Sequence, residues 1–203
     1  GSFAELAARA GRRVHGITLS TEQKAWAEAR TAGLKGASFA LTDYRDVTGH
    51  YDAVVSIEMA EAVGRQYWPA YLAAIARVLK PGGRAALQLI TFDDALFDGY
   101  ANNVDFIQRY IFPGGLLIRE SEFRRLAASN GLEWRDQANL GLDYAETLKR
   151  WRENFDAAAS ARLLPAQFDA RFVALWRYYL KYCEGGFRGG GIDVVQVTLV
   201  KEG

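Results

Sequence analysis

Residues 14–23, VHGITLSTEQ, predict a short strand that leads directly into a helix. Residues 14–18 have the apolar and β-branched content of a strand. Ser20 then stands at a helix N-cap position, with Gln23 three residues later at the capping-box position. Ligands of α/β sheets bind at the carboxyl ends of the strands. The segment is therefore either the edge of a ligand site or only a helix cap, and its spacing leaves both interpretations open.

Predicted strands and helices alternate along the rest of the chain. The predicted strands are residues 14–18, 37–42, 52–57, 84–91 and 192–200, with a further candidate at 132–138. The predicted helices are residues 3–10, 20–32, 67–79, 121–130, 143–159 and 165–182. Residues 53–55 are apolar without alternation, as expected of a strand buried on both faces. This order predicts an α/β fold with a doubly wound sheet.

The chain becomes rich in aromatic residues after Thr91. Residues 92–131 and 143–191 carry most of them, and we assign these two ranges to a helical insertion within one domain of residues 1–203. Five glycines crowd the range Gly185–Gly191, after the last predicted helix. Because the aromatic density is high for a core alone, the sequence indicates an acyl-chain pocket in this region.

The overall composition excludes several classes of protein. Half of the residues are hydrophobic, which is ample for a folded core and excludes a disordered chain. The 25 basic and 24 acidic residues nearly cancel, so nothing indicates a dedicated nucleic-acid binder. One cysteine excludes an internal disulfide framework, and with only two histidines it argues against a zinc site. No apolar run approaches the roughly 20 residues that span a bilayer.

Polar side chains follow the second and third predicted strands, and one more lies near the end of the fourth. Asp43 and Tyr44 could hold an adenine ring, but the residues alone favour a polar turn with a local ion pair. Glu58 and Glu61 are three residues apart and share one face of a helix. They are either favourable charges at a helix N-terminus or an acid–base group beside a ligand. Gln88 lies in an apolar strand and requires a hydrogen-bond partner.

The histidines and the cysteine are predicted to be structural. His15 lies in a strand and His50 in a loop before a strand, so neither is near the carboxyl-end edge of the sheet. Their placement argues against a Ser-His-Asp hydrolase. Cys183 lies among aromatic residues, where a cysteine usually fills apolar space.

Seven segments together carry a family resemblance. They are residues 14–23, 43–46 (DYRD), 55–64 (VSIEMAEAVG), 110–115 (YIFPGG), 143–148 (DYAETL), 176–180 (WRYYL) and 187–188 with the nearby Cys183. In order and spacing, over essentially all 203 residues, the chain resembles the cyclopropane-fatty-acyl-phospholipid synthases. The resemblance implies the class I methyltransferase fold and S-adenosylmethionine as cofactor.

The resemblance also implies roles for individual residues. The implied cofactor-binding residues are Gly1, Thr18, Leu19, Ser20, Gln23, Asp43, Tyr44 and Ile57. The implied catalytic residues are Glu61 and Tyr144, with Gln88 and Glu58 at positions where this chain differs from the family. The implied substrate-pocket residues are Ile90, Phe112, Tyr179, Cys183 and Phe187.

This chain departs from the better-known synthases at three places. Their Phe-Glu-His motif is Ala60-Glu61-Ala62 here, and Glu58 replaces a glycine. Gln88 replaces a histidine that helps to hold an active-site bicarbonate. A glutamine can hydrogen-bond but carries no charge, so a bound bicarbonate is in question and Glu58 could supply the carboxylate. This pattern resembles branches of the family that leave a methyl or methylene group on the acyl chain.

The resemblance implies methyl transfer to the cis double bond of an unsaturated phospholipid acyl chain. The product would be a cyclopropane or a methyl- or methylene-branched chain, with Glu61, helped by Glu58, as the base. A cytoplasmic enzyme in transient contact with the inner face of the membrane is expected, with a homodimer and a reductase for a methylene product as further partners. The alternatives are a lipid- or partner-binding module that has lost catalysis and a methyltransferase of a soluble small molecule.

The beginning of the chain leads to one expectation about the sheet. Gly1-Ser2-Phe3 matches the end of the family's glycine-rich cofactor loop, which follows a central first strand. We therefore expect these residues to belong to a longer protein. Without that strand the sheet should be split, completed by another chain, or rearranged.

Overall fold

The structure, a computed structural model, describes all 203 residues, which divide into two compact units. The first unit comprises residues 1–49 and the second comprises residues 50–203. The strands form two separate sheets, one of two strands and one of five. A split sheet is one of the arrangements expected from the sequence.

The first unit places two parallel strands beside two helices. Its elements are α1 (Ser2–Arg9), β1 (Val14–Thr18), α2 (Thr21–Arg30) and β2 (Ala37–Leu41). β1 and β2 pair in register, with Thr18 opposite Leu41 at their carboxyl ends. The Ser20 hydroxyl accepts a hydrogen bond of 3.1 Å from the Gln23 amide, so the predicted cap of α2 is present.

The second unit contains the five-stranded mixed sheet. Its elements are β3 (Tyr51–Ile57), α3 (Ala60–Val63), α4 (Trp68–Val78), β4 (Leu79–Phe92), α5 (Phe97–Ala101), α6 (Phe106–Tyr110), β5 (Ile118–Arg119), α7 (Glu120–Ser129), β6 (Leu132–Asn139), α8 (Gly141–Ser160), α9 (Ala170–Arg188) and β7 (Ile192–Lys201). The strand order is β3-β4-β7-β6, and β5 pairs with the end of β4. β3 and β4 are parallel, whereas β7 is antiparallel to both of its neighbours.

Two apolar clusters stabilise the second unit. In the first, the fully buried Trp68 ring packs edge-to-face on Phe123 at 5.7 Å and lies 6.3 Å from Phe97. In the second, buried residues of α8 and α9 pack against Val194 of β7. Each large buried side chain contributes about 1.5–3 kcal/mol relative to an exposed one. These clusters hold α8 and α9 beside the sheet and so position the side chains described below.

Several boundaries differ from the predicted ones. α7 begins at Glu120, one residue before the predicted start, and its N-cap Arg119 makes no capping hydrogen bond. α9 begins at Ala170, capped by Asp169, and continues beyond Tyr182 to Arg188. The short elements α5, α6 and β5 were not predicted. None of the helices combines the length and the apolar character that crossing a membrane requires.

Among the described residues, β3 pairs with one neighbouring strand, β4. Its alternate residues Ala53, Val55 and Ile57 are exposed, Ile57 by 52% of its surface. The first strand that the family resemblance places in the centre of the sheet is not among these residues, so burial of β3 on both faces stays a prediction.

Candidate active site

Glu58 lies immediately after β3 in an unusual backbone conformation. Its φ is +50°, in the left-handed region that a non-glycine residue adopts at a cost of about 1–2 kcal/mol. The Glu58 amide donates a 2.9 Å hydrogen bond to the Gln88 carbonyl of β4, which fixes the backbone at this point. Strained residues of this kind cluster at functional sites. The strained backbone of Glu58 therefore marks its side chain as a candidate functional group.

The Glu58 carboxylate receives one hydrogen bond on each oxygen. The Gln88 amide Nε2 donates to Oε1 at 2.8 Å, and the Tyr144 hydroxyl donates to Oε2 at 3.3 Å. Gln88 comes from β4 and Tyr144 from the first turns of α8, so three elements meet at this group. Burial, followed by the nearby Glu58 charge, raises the pKa of the Tyr144 hydroxyl above its ordinary value. Tyr144 is therefore a hydrogen-bond donor at physiological pH.

Glu61 is a second carboxyl group, held in a different environment. Its Oε1 accepts a 2.5 Å hydrogen bond from the Ile90 amide of β4, while Oε2 is buried without a partner. Burial raises the pKa of Glu61 to about 7, and the Glu58 charge adds to the rise. A carboxyl group with this pKa can hold or release a proton near neutral pH, as general acid–base catalysis requires.

Gln88 is itself held by a residue of β7. The Gln196 amide Nε2 donates a 2.9 Å hydrogen bond to Gln88 Oε1. The two residues lie directly opposite each other in the antiparallel pairing of β4 with β7. The requirement for a partner of Gln88, derived from the sequence, is met by Glu58 on one side and Gln196 on the other.

Aromatic and apolar side chains surround the polar group on the helical side. The Tyr144 ring lies edge-on to Phe187 at 5.0 Å, and Tyr179 and Cys183 pack on the same apolar cluster. Burial raises the pKa of the Cys183 thiol to about 12. Cys183 therefore stays a neutral thiol and not a thiolate nucleophile, in line with its predicted structural role. The arrangement places two carboxyl groups and a phenol beside an apolar wall.

The first unit has its own polar group, at the carboxyl ends of β1 and β2. The Thr18 hydroxyl donates to Gln23 Oε1 at 2.7 Å and accepts from the Ser20 amide at 3.1 Å. Both oxygens of Asp43 accept from the Arg45 guanidinium, at 2.9 and 2.7 Å, so the local ion pair favoured by the sequence is present. Arg45 lowers the pKa of Asp43 to about 2, which keeps this carboxylate charged.

Known proteins match this chain over nearly all of its length. Residues 1–197 match the protein family described as mycolic acid cyclopropane synthetase. The chain belongs to this family. Among its members, tuberculostearic acid methyltransferase UfaA1 of Mycobacterium tuberculosis is 42% identical over 207 residues, which cover 100% of this chain and 48% of that protein. The cyclopropane-fatty-acyl-phospholipid synthase of Escherichia coli is 36% identical over 189 residues, covering 92% of this chain and 47% of the other.

The fold of this chain also matches that of a solved structure. The crystal structure of mycolic acid cyclopropane synthase CmaA1, complexed with SAH and CTAB, superposes with a TM-score of 0.84 at 26% sequence identity. The match covers 93% of this chain and 70% of that one. The predicted family and the class I methyltransferase fold are confirmed. The chain spans about half the length of the two curated relatives.

The remaining predicted site residues of this chain lie at varied depths. Phe187 is a buried core residue, 4% exposed, and reaches the polar group only through its contact with Tyr144. Phe112 is 57% exposed, and its ring lies 6.3 Å from Tyr179. In the first unit, Leu19 is 76% exposed and Gly1 caps α1.

Gly1 and Tyr44 of the first unit each lie close to a neighbouring residue. Gly1 closely approaches α2, because an added Cβ would lie 2.9 Å from the Ala27 Cα. The Tyr44 ring faces the Arg45 guanidinium at 5.8 Å.

Gln196 is the residue that the sequence prediction missed. It is the polar member of the apolar run Val195-Gln196-Val197, a pattern that Gln88 repeats between Leu87 and Leu89. The shared pattern was visible in the sequence. The contact was not, because pairing between β4 and β7 joins residues more than 100 positions apart.

Proposed function

We propose that this protein transfers a methyl group from S-adenosylmethionine to the cis double bond of an unsaturated phospholipid acyl chain. The product is a cyclopropane or a methyl- or methylene-branched chain. The observation that carries the proposal is the Glu58 carboxylate, held by Gln88 and Tyr144 beside an apolar aromatic cluster. A proton acceptor next to an apolar wall suits a reaction on a hydrocarbon chain.

The names of the relatives support a lipid substrate. One is a methyltransferase named for tuberculostearic acid, and another is a synthase named for cyclopropane fatty acyl phospholipids. A third relative, from Emericella nidulans, is a sphingolipid C9-methyltransferase that is 31% identical over 206 residues. All three act, by name, on lipids and not on a soluble small molecule.

The polar group of the first unit is chemically suited to S-adenosylmethionine. The hydroxyls of Thr18 and Ser20 can bind ribose and amino-acid oxygens, and Asp43, which accepts three hydrogen bonds from Arg45, keeps about one acceptor position for an adenine amino group. The Tyr44 ring can cover a base. Arg45 already hydrogen-bonds to Asp43. Because a carboxylate has about four acceptor sites, this contact still allows Asp43 to accept a hydrogen bond from adenine. When bound, S-adenosylmethionine supplies an electrophilic methyl group.

Residues of the second unit then have three tasks. They orient the acyl chain, exclude water and remove one proton from the alkylated chain. The face of Tyr144 stabilises positive charge by about 0.5–2 kcal/mol. We assign proton removal to Glu58, because its carboxylate is held in place by two donors. Glu61, with a pKa raised to about 7 and one unpartnered oxygen, orients the group or takes up the proton next.

The position of the positive charge decides the product, because both routes lose a proton from the added methyl group. When the charge stays on the carbon next to the methylated one, loss of that proton closes a cyclopropane. When a hydride first moves from the methylated carbon to its charged neighbour, loss of the same proton leaves a methylene group. A methylene product keeps a double bond, so a methyl-branched end product requires a separate reductase. Glu58 supplies a carboxylate between Gln88 and Tyr144, and the proposal therefore needs no bicarbonate at that place.

A lipid substrate also requires access to the membrane. Phe106 of α6 contacts Tyr110, Tyr178 and Tyr182 with ring centroids 4.7 to 5.6 Å apart, and the latter three are exposed. We name these four residues the aromatic face. Arg109 lies over the Tyr110 ring at 5.7 Å. Tyrosines beside a basic side chain suit a lipid–water interface, and we propose that this face contacts the bilayer.

The test is lipid product analysis with a Glu58→Gln variant. Purified full-length protein is incubated with S-adenosylmethionine and cis-unsaturated phospholipid, and the acyl chains are analysed by mass spectrometry and NMR. The wild type should add one carbon, and Glu58→Gln should lower the rate about 10²-fold or more, because a neutral amide cannot accept the proton.

Glu153→Gln is the matched control, since Glu153 is an exposed residue of α8 whose ion-pair partner, Lys149, is 3.9 Å away. It should keep wild-type activity. No carbon addition by the wild type, or full activity of Glu58→Gln, would contradict the proposal. A pure cyclopropane product would show that Gln88 does not divert the chemistry.

A further inference from the structure

Three polar side chains form a hydrogen-bonded row across one face of the five-stranded sheet. Glu58 follows β3, Gln88 belongs to β4 and Gln196 belongs to β7. Residues directly opposite in antiparallel strands have Cβ atoms about 4.5–5.5 Å apart, so Gln88 and Gln196 are neighbours by register. Gln196 Nε2 donates to Gln88 Oε1 at 2.9 Å, and Gln88 Nε2 donates to Glu58 Oε1 at 2.8 Å.

The hydrogen bonds of this row all run in one direction, from Gln196 through Gln88 to Glu58. An amide NH₂ group only donates, so the atom of Gln88 that faces the NH₂ of Gln196 must be its carbonyl oxygen. The NH₂ group of Gln88 is then left for Glu58. If the Gln88 amide were reversed, its carbonyl oxygen would face the Glu58 carboxylate, and two acceptors would oppose each other. The Glu58 carboxylate, which only accepts, therefore draws the NH₂ group of Gln88 toward it, and Gln196 holds the carbonyl end of the same amide in place.

We infer that Gln196 is a positioning residue that locks the Gln88 amide with its donor toward Glu58. Its role in catalysis rests on the proposed function, whereas its effect on Gln88 does not. Gln196 is exposed on the sheet between the buried Val195 and Val197, so its replacement should leave the core intact. Nothing about the contact requires Gln196 to touch a substrate.

The first test observes the Gln88 amide directly. The side-chain ¹⁵N–¹H signals of Gln88 are assigned in full-length protein by their loss in Gln88→Met. Gln196→Met should shift these signals, and so should Glu58→Gln, because each removes one partner of the amide. Thr198→Val is the control, since Thr198 lies two residues further along the same face, opposite Ala86. Unmoved Gln88 signals in Gln196→Met, or an equal shift in Thr198→Val, would overturn the inference.

The second test separates positioning from a general effect on folding. Gln196→Met should lower kcat about fivefold, the effect of losing one hydrogen bond of about 1 kcal/mol, with KM unchanged. In a Gln88→Met background the same substitution should have no further effect. An equal loss in both backgrounds would overturn the inference. If the wild type makes no product, the proposed function fails, and the NMR experiment still decides whether Gln196 orients Gln88.

Discussion

Glu58 and Glu61 show how the same functional group acquires two properties within three residues. Glu58 receives hydrogen bonds from two side chains, one on each oxygen. Glu61 receives one from a backbone amide and has a second oxygen buried without a partner. Burial of Glu61 opposes its ionisation and raises its pKa to about 7. A carboxyl group with a pKa near 7 can take up or release a proton at neutral pH.

The pKa of Glu61 has a consequence for stability. The unfolded chain ionises this group near 4.5, so between there and about 7 the folded protein binds more protons than the unfolded chain. The contribution of Glu61 to stability therefore falls as the pH rises through this range. At about 1.4 kcal/mol per pKa unit, the loss above neutral pH is about 3 kcal/mol.

We predict that Glu61→Gln is more stable than the wild type at about pH 8, and that the difference disappears near pH 5. Glutamine resembles the protonated carboxyl group and can still accept the hydrogen bond from the Ile90 amide. Urea unfolding at the two pH values measures the difference. Glu153→Gln, at an exposed position, should show no such dependence. A constant difference for Glu61→Gln at both values would contradict the pKa assignment.

At the residue scale, the sequence predicted which groups meet but not how they are held. Glu58, Gln88 and Tyr144 were identified by the family resemblance and are joined by hydrogen bonds. The left-handed backbone of Glu58 agrees with the glycine that the family carries at this position. Gln196 was missed because antiparallel register depends on non-local pairing that no local pattern reveals.

At the element scale, the start of α8 determines where Tyr144 lies. Asp193 of β7 accepts a 2.7 Å hydrogen bond from the Gly141 amide and a 2.6 Å hydrogen bond from the Asn139 side chain. Tyr144 follows within the first turn, and its amide donates to the Leu140 carbonyl at 2.8 Å. A polar clamp between β7 and the helix N-terminus therefore positions the Tyr144 phenol.

We predict that Gly141→Ala destabilises the protein by about 1–3 kcal/mol, because the clamp cannot accommodate a side chain. An added Cβ would lie 2.6 Å from Asp193 Oδ1, the oxygen that accepts the Gly141 hydrogen bond. Denaturant unfolding measures the change, and activity should fall with it as Tyr144 moves.

Gly185→Ala in α9 is the matched control. An added Cβ there meets no atom within 4 Å, so the same substitution should stabilise the helix by roughly 0.5–1 kcal/mol. Equal effects at the two glycines would show that the contact with Asp193 is not the cause.

The elements themselves were predicted where local signals were strong. Ser20 and Gln23 marked the start of α2, and the predicted strands β1 and β7 match the observed ones to within one residue. α9 was predicted to end at Tyr182 but passes through Gly185 and Gly186 to Arg188. Each glycine costs a helix about 1 kcal/mol, and burial of Phe187 in the second cluster offsets this cost. Tertiary packing therefore determined the end of the helix.

At the scale of the whole molecule, the aromatic face combines exposed rings with nearby positive charge. Tyr110 is 56% exposed and Tyr178 is 52% exposed, and both contact the Phe106 ring. Arg109 and Lys181 are exposed on the same helices, α6 and α9. α9 also carries Tyr179 and Cys183, which pack on the apolar cluster beside Tyr144. One helix thus joins the proposed membrane contact to the proposed acyl pocket.

We predict that the double variant Tyr110→Ser/Tyr178→Ser binds anionic, cis-unsaturated phospholipid vesicles roughly 30-fold more weakly than the wild type. Each ring that leaves the interface removes on the order of 1 kcal/mol of apolar burial. Vesicle co-sedimentation measures binding, and Tyr67→Ser is the control because Tyr67 is 45% exposed but lies outside α6 and α9. Activity on detergent-dispersed lipid should be retained in the double variant, since neither tyrosine bonds to Glu58. Unchanged vesicle binding, or an equal loss in Tyr67→Ser, would exclude the aromatic face as the membrane contact.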